Sequence, residues 1–211
     1  MLTVAGVIGA GNSTFTKELA GELGTKPFYE PVGGNPVLPL YYSDPEKYGF
    51  LLQIYFLNKR FKMIKAAYKE NNNILDRSIY EDLLFTTINH ENGNFTDEEF
   101  DTYKSLLDNM MEEIEGLPKK APDLMIYLDV DFDTMLSRIK LRGREFEQFD
   151  DNKELKNYYH QVWEEYQKWY DDYDLSAKIK IDVAKHDLVT EEGKDFAISV
   201  VKNKLKEEGL I

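Results

Sequence analysis

The sequence predicts an α/β fold in which five parallel strands form a sheet flanked by helices. Short apolar runs alternate along the chain with segments of helical periodicity, and this alternation is typical of βα units. One run, residues 124–130, is continuously apolar, as expected of a strand buried on both faces of a parallel sheet. No internal repeat or low-complexity linker divides the 211 residues, so we expect a single domain over residues 1–211.

In the first half of the chain, strands are predicted at residues 2–7, 27–30 and 74–76. The first strand leads through glycines into a helix over residues 13–23, where apolar residues recur at helical spacing. Pro31 is expected to end the second strand. A long helix begins at Pro45, since proline is tolerated in a first helical turn. It continues to about Lys69, and the asparagines at 71–73 break it.

In the second half, strands are predicted at residues 124–130 and 179–183. Helices are predicted at residues 80–93, 96–115 and 190–208. Two further helices are predicted between them: one follows the strand at 124–130 and ends at about residue 141, and the other begins at residue 151. The helix at 96 has a capping-box signature formed by Thr96 and Glu99. Asp151 and Glu154 form a similar signature for the following helix. Pro118 marks a loop between two of these elements.

The composition argues against several classes of function. The net charge of −13 would repel a nucleic acid. The chain has no cysteine, which excludes disulfides, thiolate catalysis and cysteine-bound metals. No apolar stretch approaches the ~20 residues that span a bilayer, and the N-terminus lacks the features of a signal peptide. We therefore expect a soluble cytoplasmic protein with no membrane contact.

Residues 6–14 match the phosphate-binding pattern G-x-x-x-x-G-K-[ST] except that Asn12 replaces the lysine. The predicted phosphate-binding residues are Gly6, Gly9, Ala10, Gly11, Asn12, Ser13 and Thr14. Backbone N–H groups in such a loop hold phosphate oxygens, and the Ser13 hydroxyl is the expected Mg²⁺ ligand. Loss of one preorganised charged donor lowers kcat by about 10²–10³. The sequence therefore predicts a nucleoside triphosphate site that still binds but catalyses weakly.

Charged residues follow the other strands at the same predicted edge of the sheet, where α/β proteins bind ligands. Glu30 ends the second strand, and a carboxylate there can accept a proton from an attacking hydroxyl. Asp76 and Arg77 end the third strand. Asp76 is a candidate for orienting Mg²⁺ through water, and Arg77 for holding a substrate hydroxyl or a developing charge. A surface glutamate and a structural ion pair are the alternative interpretations.

Three arginines, Arg138, Arg142 and Arg144, follow the fourth strand. The first two are four residues apart and share a helix face. Arginine binds phosphate oxygens bidentately, so this segment suits a lid over the triphosphate. A solvated basic helix end is the alternative.

Four segments together resemble the deoxynucleoside kinases of the deoxycytidine, deoxyguanosine and deoxyadenosine kinase group. They are residues 6–14, Glu30-Pro31-Val32, Asp76-Arg77-Ser78 and residues 141–148. Residues 35–40 and 50–58 are very similar to deoxyadenosine and deoxyguanosine kinases of lactic acid bacteria. The likeness covers nearly the whole chain. It implies a P-loop kinase fold with an arginine-rich lid, a role in nucleotide salvage, and a homodimer or a heterodimer with a paralogue.

The resemblance implies transfer of the ATP γ-phosphate, with Mg²⁺, to the 5′-hydroxyl of a purine deoxynucleoside or deoxycytidine. Glu30 matches the general base and Arg77 the arginine near the 5′-oxygen. The other matched positions are Tyr42 and Glu147 at the sugar 3′-hydroxyl, Gln53 at the base edge, Arg60 and Asp82 as the pair that disfavours thymidine, and Arg138, Arg142 and Arg144 in the lid. Thr86 departs from the family, which places a phenylalanine there against the base, and neighbouring Phe85 is the expected substitute.

Two other functions stay open from the sequence. A nucleotide-binding regulatory partner of an active kinase subunit would account for Asn12, although it has no need of Glu30 and Arg77. A nucleoside monophosphate kinase shares the loop and the lid, but its phosphate acceptor does not require a base such as Glu30.

Overall fold

The computed structural model describes residues 1–30, 32–67, 73–115 and 121–211. Within these ranges, five strands form one parallel sheet in the order β2-β3-β1-β4-β5. The strands are β1 Leu2–Ala5, β2 Lys26–Phe28, β3 Asn73–Asp76, β4 Leu124–Asp129 and β5 Ala177–Asp182. The predicted five-stranded parallel sheet is confirmed.

The helices of the described ranges follow the predicted alternation with strands. They are α1 Asn12–Leu23, α2 Leu38–Ser43, α3 Pro45–Ala67, α4 Ile79–Glu91, α5 Asp97–Glu115, α6 Phe132–Arg142, α7 Lys153–Asp172 and α8 Glu191–Glu207. A short 3-10 turn, Glu145–Glu147, lies between α6 and α7. None of these helices combines the length and apolar character needed to cross a membrane.

Several details differ from the predictions. Strands β1 and β2 end at Ala5 and Phe28, each two residues earlier than predicted. The short helix α2 was not expected. The cap of α7 is Asn152, whose side chain accepts a hydrogen bond from the Leu155 N–H at 2.9 Å, so the predicted cap at Asp151 was wrong by one residue. The expected features at Pro31, Lys69, residues 71–72 and Pro118 lie outside the described residues.

The core lies on both sides of the central strands. Val4, Ile74 and Ile126 are completely buried, which agrees with apolar runs covered on both faces. Helices α1 and α7 add Phe15 and Tyr166 to this core. Burial of each such side chain stabilises the fold by about 1.5–3 kcal/mol, and the packed helices fix the sheet edge where the charged residues gather.

The strand register brings the predicted functional segments together. Val4 of β1 pairs with Asp76 of β3, and Phe28 of β2 pairs with Leu75. The Arg77 N–H extends the pairing by donating to the Val4 carbonyl at 2.8 Å. The segments that follow β1, β2 and β3 therefore converge at one carboxyl edge, the ligand-binding position of α/β sheets.

Candidate active site

A cavity of about 540 Å³ opens at this carboxyl edge, a size typical of small-molecule sites. Most of the predicted site residues line it: Gly9, Gly11, Asn12, Ser13, Thr14, Glu30, Tyr42, Gln53, Asp76, Arg77, Asp82, Arg138, Arg142, Arg144 and Glu147. Gly6, Ala10 and Arg60 are buried and do not line it. The structure thus gathers predicted residues from all parts of the chain into one site.

The phosphate loop turns from β1 into α1, and its glycines make the turn possible. Gly9 and Gly11 have φ angles of 83° and 102°, which side chains strongly disfavour. At Gly6, an added Cβ would lie 2.7 Å from Asn12 Oδ1 and 3.0 Å from the Leu128 carbonyl oxygen. These positions therefore require glycine, and the loop can present backbone N–H groups to an anion.

Asn12, at the position of the missing lysine, is 7% exposed and folds back on the loop. Its Nδ2 donates to the Gly6 carbonyl oxygen at 2.8 Å. Its Oδ1 is buried and has no hydrogen-bond partner among the described residues. The asparagine thus stiffens the loop but brings no positive charge to the cavity.

Beside the loop, the Ser13 hydroxyl donates to Asp76 Oδ2 at 2.5 Å. Asp76 is 1% exposed, and burial, reinforced by the negative charge of Glu30, raises its pKa. A hydroxyl and a carboxylate next to a phosphate loop fit Mg²⁺, which usually takes one or two carboxylates together with substrate phosphates. No group of three or more histidine or acidic residues within the described ranges could hold a metal without a substrate.

Glu30 lies between two arginines. Its Oε1 accepts a hydrogen bond from Arg60 Nη2 at 3.1 Å, and its Oε2 accepts one from Arg77 Nε at 3.0 Å. Burial acts to raise the pKa of Glu30, but the two guanidinium groups outweigh it and hold the pKa below its usual value. Glu30 is therefore ionised at neutral pH and can accept a proton.

Arg60 supports the site from behind the cavity wall. It donates to both carboxylate oxygens of Asp82, each at 3.0 Å, and to the Asp76 carbonyl oxygen at 2.8 Å. The predicted Arg60–Asp82 pair exists as a bidentate contact, with Asp82 lining the cavity and Arg60 only 1% exposed. Arg60 therefore holds Asp82 and Glu30 in place but does not line the cavity itself.

Arg77 is the single non-glycine residue with a positive φ, 70°, in the described part of the chain. Such a backbone costs on the order of 1–3 kcal/mol unless its surroundings hold it. Here Nη1 donates to the Gly6 carbonyl oxygen at 2.7 Å, to Glu81 Oε1 at 3.2 Å and to the Tyr166 hydroxyl. These contacts fix the guanidinium in the cavity wall next to Glu30.

The cavity is also lined by groups suited to a planar base. Gln53 is 4% exposed, and its amide has no hydrogen-bond partner among the described residues, so it presents a donor and an acceptor to the cavity. Phe85 lines the cavity, whereas Thr86 does not and turns its hydroxyl to the Asp82 carbonyl oxygen at 2.8 Å. The structure therefore places Phe85, and not Thr86, where a base could stack.

Two of the three arginines of the predicted lid meet at Glu147. Arg142 and Arg144 donate to its two carboxylate oxygens at 2.6 and 3.0 Å, while Arg138 donates to the Ala10 carbonyl oxygen in the phosphate loop at 3.2 Å. The ring of Tyr42 packs 5.4 Å from Phe146, and burial raises the pKa of Tyr42 well above its usual value. Tyr42 therefore stays a neutral donor beside the Glu147 carboxylate.

Two buried polar residues that contact the site from behind the cavity wall were not predicted from the sequence. Glu81 is fully buried and accepts hydrogen bonds from the Gly6 N–H at 3.3 Å and the Ser78 N–H at 2.7 Å. Tyr166 donates to Glu81 at 2.9 Å. The Ser78-x-x-Glu81 spacing is a capping-box signature that could have pointed to Glu81. Tyr166 has no such signal, because a tyrosine at helical spacing looks like any core residue.

A phosphate loop at the carboxyl edge of a five-stranded parallel sheet, facing a carboxylate between two arginines, has the architecture of the P-loop kinases. Residues 2–206 match the family model of deoxynucleoside kinase. The chain belongs to the deoxynucleoside kinase family.

Named relatives agree with this assignment. The chain is 50% identical over 210 residues to a deoxyguanosine kinase of Lactobacillus acidophilus, covering 99% of this chain and 92% of that protein. It is 47% identical to a deoxyadenosine kinase of the same species, covering 99% and 98%. A structure of deoxyadenosine kinase from M. mycoides with bound dCTP is similar with a TM-score of 0.79 and 31% identity, covering 98% of this chain and 100% of that one. The family prediction is confirmed, and the alternative of a nucleoside monophosphate kinase was wrong.

Proposed function

We propose that the protein transfers the γ-phosphoryl group of ATP to the 5′-hydroxyl of purine deoxynucleosides, of deoxycytidine, or of both, in nucleotide salvage. The observation that carries this proposal is the ionised Glu30 carboxylate, held by Arg77 in the wall of the cavity that contains the phosphate loop. The similar proteins named above act on deoxyguanosine and deoxyadenosine, which supports this choice of acceptor.

In the proposed reaction the acceptor hydroxyl oxygen attacks the γ-phosphorus while its proton moves to Glu30. A bond forms between that oxygen and phosphorus, the bond from phosphorus to the bridging β-phosphate oxygen breaks, and ADP leaves. Arg77 stabilises the developing charge near the acceptor oxygen. General-base catalysis of this kind contributes typically ~10²–10⁴-fold.

The donor phosphates lie on the backbone N–H groups of residues 9–13 in this proposal, with Arg138, Arg142 and Arg144 closing over them. Ser13 and Asp76 would hold Mg²⁺, which supplies positive charge to the phosphate oxygens when bound. The adjacency of the hydroxyl and the carboxylate beside the loop supports this assignment.

The acceptor base lies between Phe85 and the amide of Gln53. The unpartnered donor and acceptor of Gln53 suit the paired donor and acceptor on the edge of adenine, guanine or cytosine. Tyr42 and Glu147 would hold the sugar 3′-hydroxyl. Asp82, anchored by Arg60, would complete the pocket and disfavour thymidine.

Asn12 lowers the rate in our proposal, because the loop lacks the ammonium that follows charge to the transition state. The second candidate function is a nucleotide-binding regulatory partner of an active kinase subunit, and uncharged Asn12 is the observation that favours it. We keep three further expectations as predictions: the protein forms a dimer with itself or with a paralogue, residues 1–211 form a single domain, and the protein is cytoplasmic.

A single-turnover assay with the four deoxynucleosides and Mg-ATP tests the proposal. We expect a 5′-monophosphate product from deoxyadenosine, deoxyguanosine or deoxycytidine, and no product with Glu30→Gln. Calorimetry should still detect nucleoside binding to that variant. The control is Glu46→Gln, which changes an exposed glutamate in the first turn of α3. Equal turnover in Glu30→Gln and the control would remove Glu30 as the base.

A further inference from the structure

The Glu81 carboxylate joins three separate parts of the site, although it does not line the cavity. It contacts the first residue of the phosphate loop, Gly6, the turn after β3 at Ser78, and Tyr166 of α7. Its exposure is 0%, and burial raises its pKa despite the nearby Arg77 guanidinium. A buried carboxylate is costly to the fold unless it is fully paired, so these contacts must be maintained together.

Tyr166 completes the connection from the opposite side. Its hydroxyl donates to Glu81 Oε1 at 2.9 Å and accepts a hydrogen bond from Arg77 Nη1. Burial raises the pKa of Tyr166 well above its usual value, so the hydroxyl keeps its proton and can serve both roles at once. The ring also packs edge-on against Phe85 at 5.8 Å between centroids, which connects it to the base-binding wall.

These contacts determine which nitrogen of Arg77 remains for a ligand. Nε binds Glu30, and Nη1 is shared among the Gly6 carbonyl oxygen, Glu81 and Tyr166. Within the described ranges Nη2 has no hydrogen-bond partner, and Arg77 lines the cavity. The protein thus holds the Nε and Nη1 groups of Arg77, and the Nη2 group is available to an acceptor hydroxyl or phosphate oxygen.

We propose that Glu81 and Tyr166 form a positioning pair that holds the Arg77 guanidinium and the start of the phosphate loop in one catalytic arrangement. The inference rests on the proposed function, in which Arg77 meets the reacting oxygens. Neither member of the pair touches substrate. Both act through Arg77 and Gly6, so their loss changes the rate of phosphoryl transfer more than the binding of either substrate.

The test uses the Tyr166→Phe and Glu81→Gln variants of the full chain. We expect kcat to fall by about 10- to 100-fold, since misplacement of a catalytic group by about 1 Å has effects of this size. Dissociation constants for nucleoside and Mg-ATP should change by less than about threefold, as for a group that acts only in the transition state. The matched control is Tyr173→Phe, which removes a buried hydroxyl at the end of α7 that contacts Ser176 and lies outside the site.

The double variant provides a second measurement. If both residues act through Arg77, Tyr166→Phe in the Glu81→Gln background should cause little additional loss of kcat. Three results would each overturn the pairing. The losses of kcat in the two single variants could be additive, or kcat could be unchanged. The losses could also be explained by a lower melting temperature alone and match the loss in Tyr173→Phe. If the parent chain makes no product from any deoxynucleoside, the proposed function itself fails.

An NMR experiment distinguishes failure of the positioning pair from failure of the proposed function, because it does not depend on enzyme activity. The Nε–H of a held, buried arginine gives a resolved and slowly exchanging signal, assigned here by loss in Arg77→Lys. We expect this signal in the parent protein and in Tyr173→Phe, and its broadening or loss in Tyr166→Phe. A persistent Arg77 signal in Tyr166→Phe would overturn the positioning role whatever the enzyme assays give.

Discussion

Replacing Asn12 by lysine should raise kcat for the preferred deoxynucleoside by at least about tenfold, a reduction of roughly 1.4 kcal/mol in the activation barrier. The physical reason is that Asn12 brings a hydrogen bond to Gly6 but no charge to the cavity. One preorganised electrostatic donor changes kcat by about 10²–10³. We give the lower bound because the Arg138, Arg142 and Arg144 guanidiniums already line the same cavity.

The structural cost of this substitution should be small. The variant loses the Asn12 Nδ2 hydrogen bond to the Gly6 carbonyl oxygen, a contact with a net effect of about 0.5–1.5 kcal/mol. That oxygen remains paired, because Arg77 Nη1 also donates to it at 2.7 Å. The unpartnered Asn12 Oδ1 is removed as well. We therefore expect a loss of no more than about 1 kcal/mol in the free energy of unfolding.

The assay compares single turnovers of the parent chain, Asn12→Lys and Asn12→Gln across the four deoxynucleosides. Asn12→Gln is the matched control, since it lengthens the side chain without adding charge. We expect a rate increase in the lysine variant alone, with nucleotide affinity raised less than the rate. Equal rates in all three proteins, with the lysine variant folded, would refute the idea that Asn12 limits the chemistry.

Three further predictions follow from the site. Mg-ATP at millimolar concentration should raise the melting temperature of the parent chain, because a ligand at one hundred times its Kd raises the free energy of unfolding by about 2.7 kcal/mol; no shift would count against a working phosphate loop. Arg60→Met should lower the free energy of unfolding by about 3–5 kcal/mol in urea titrations, because Asp82 and Glu30 lose their buried partner, and a loss below 1 kcal/mol would contradict this. Since the arginines hold the pKa of Glu30 below its usual value, its reactive form is the ionised one, and kcat/KM should show no loss from protonation of Glu30 as the pH falls from 8 to about 5. A fall in kcat/KM with an inflection near pH 6.5 would be inconsistent with that charge state.

Much of the fold could be predicted because its signals are local. The helix start at Thr96 was predicted from its capping-box spacing with Glu99, and in the structure Thr96 accepts a hydrogen bond from the Glu99 N–H at 3.2 Å. The helix predicted from residue 190 also begins there, where Thr190 accepts a hydrogen bond from the Gly193 N–H at 3.1 Å. The alternation of apolar runs with helical spacing gave the parallel sheet, since strands buried on both faces need unbroken apolar sequence. Such patterns involve residues that are close together in the chain, so they can be recognised in a single sequence.

The helix α2 could not be predicted for the opposite reason. It has six residues with Pro39 in its first turn, too short to show a period of 3.6. Its buried residues, Leu38 and Tyr41, pack against Leu52 of α3. Tertiary packing stabilises this helix, since isolated helices of this length are marginal in water.

The candidate site could also be predicted only in part, because some of its residues have local sequence signals and others do not. Charged residues at strand ends indicated Glu30, Asp76 and Arg77 before any coordinates. The resemblance indicated Gln53 and paired Arg60 with Asp82, but it could not show that Gln53 lines the cavity while Arg60 lies behind the cavity wall. Contacts such as Tyr166 with Glu81 join residues 85 positions apart, and nothing local encodes them.

The buried charges bear on whether this family member is a catalyst or a regulatory partner. The carboxylates of Glu30, Glu81 and Asp82 bind the guanidiniums of Arg60 and Arg77. The Asp76 carboxylate is a fourth buried acid, close enough for both guanidiniums to lower its pKa. Burial raises the pKa of three of the four, so their ionised forms oppose folding. Apolar residues of similar volume often replace such clusters without loss of stability. In the proposed reaction Glu30 and Arg77 act on the acceptor hydroxyl and do not hold the nucleotide. We therefore infer that their retention favours a catalyst, with a rate lowered by Asn12, over a regulatory partner.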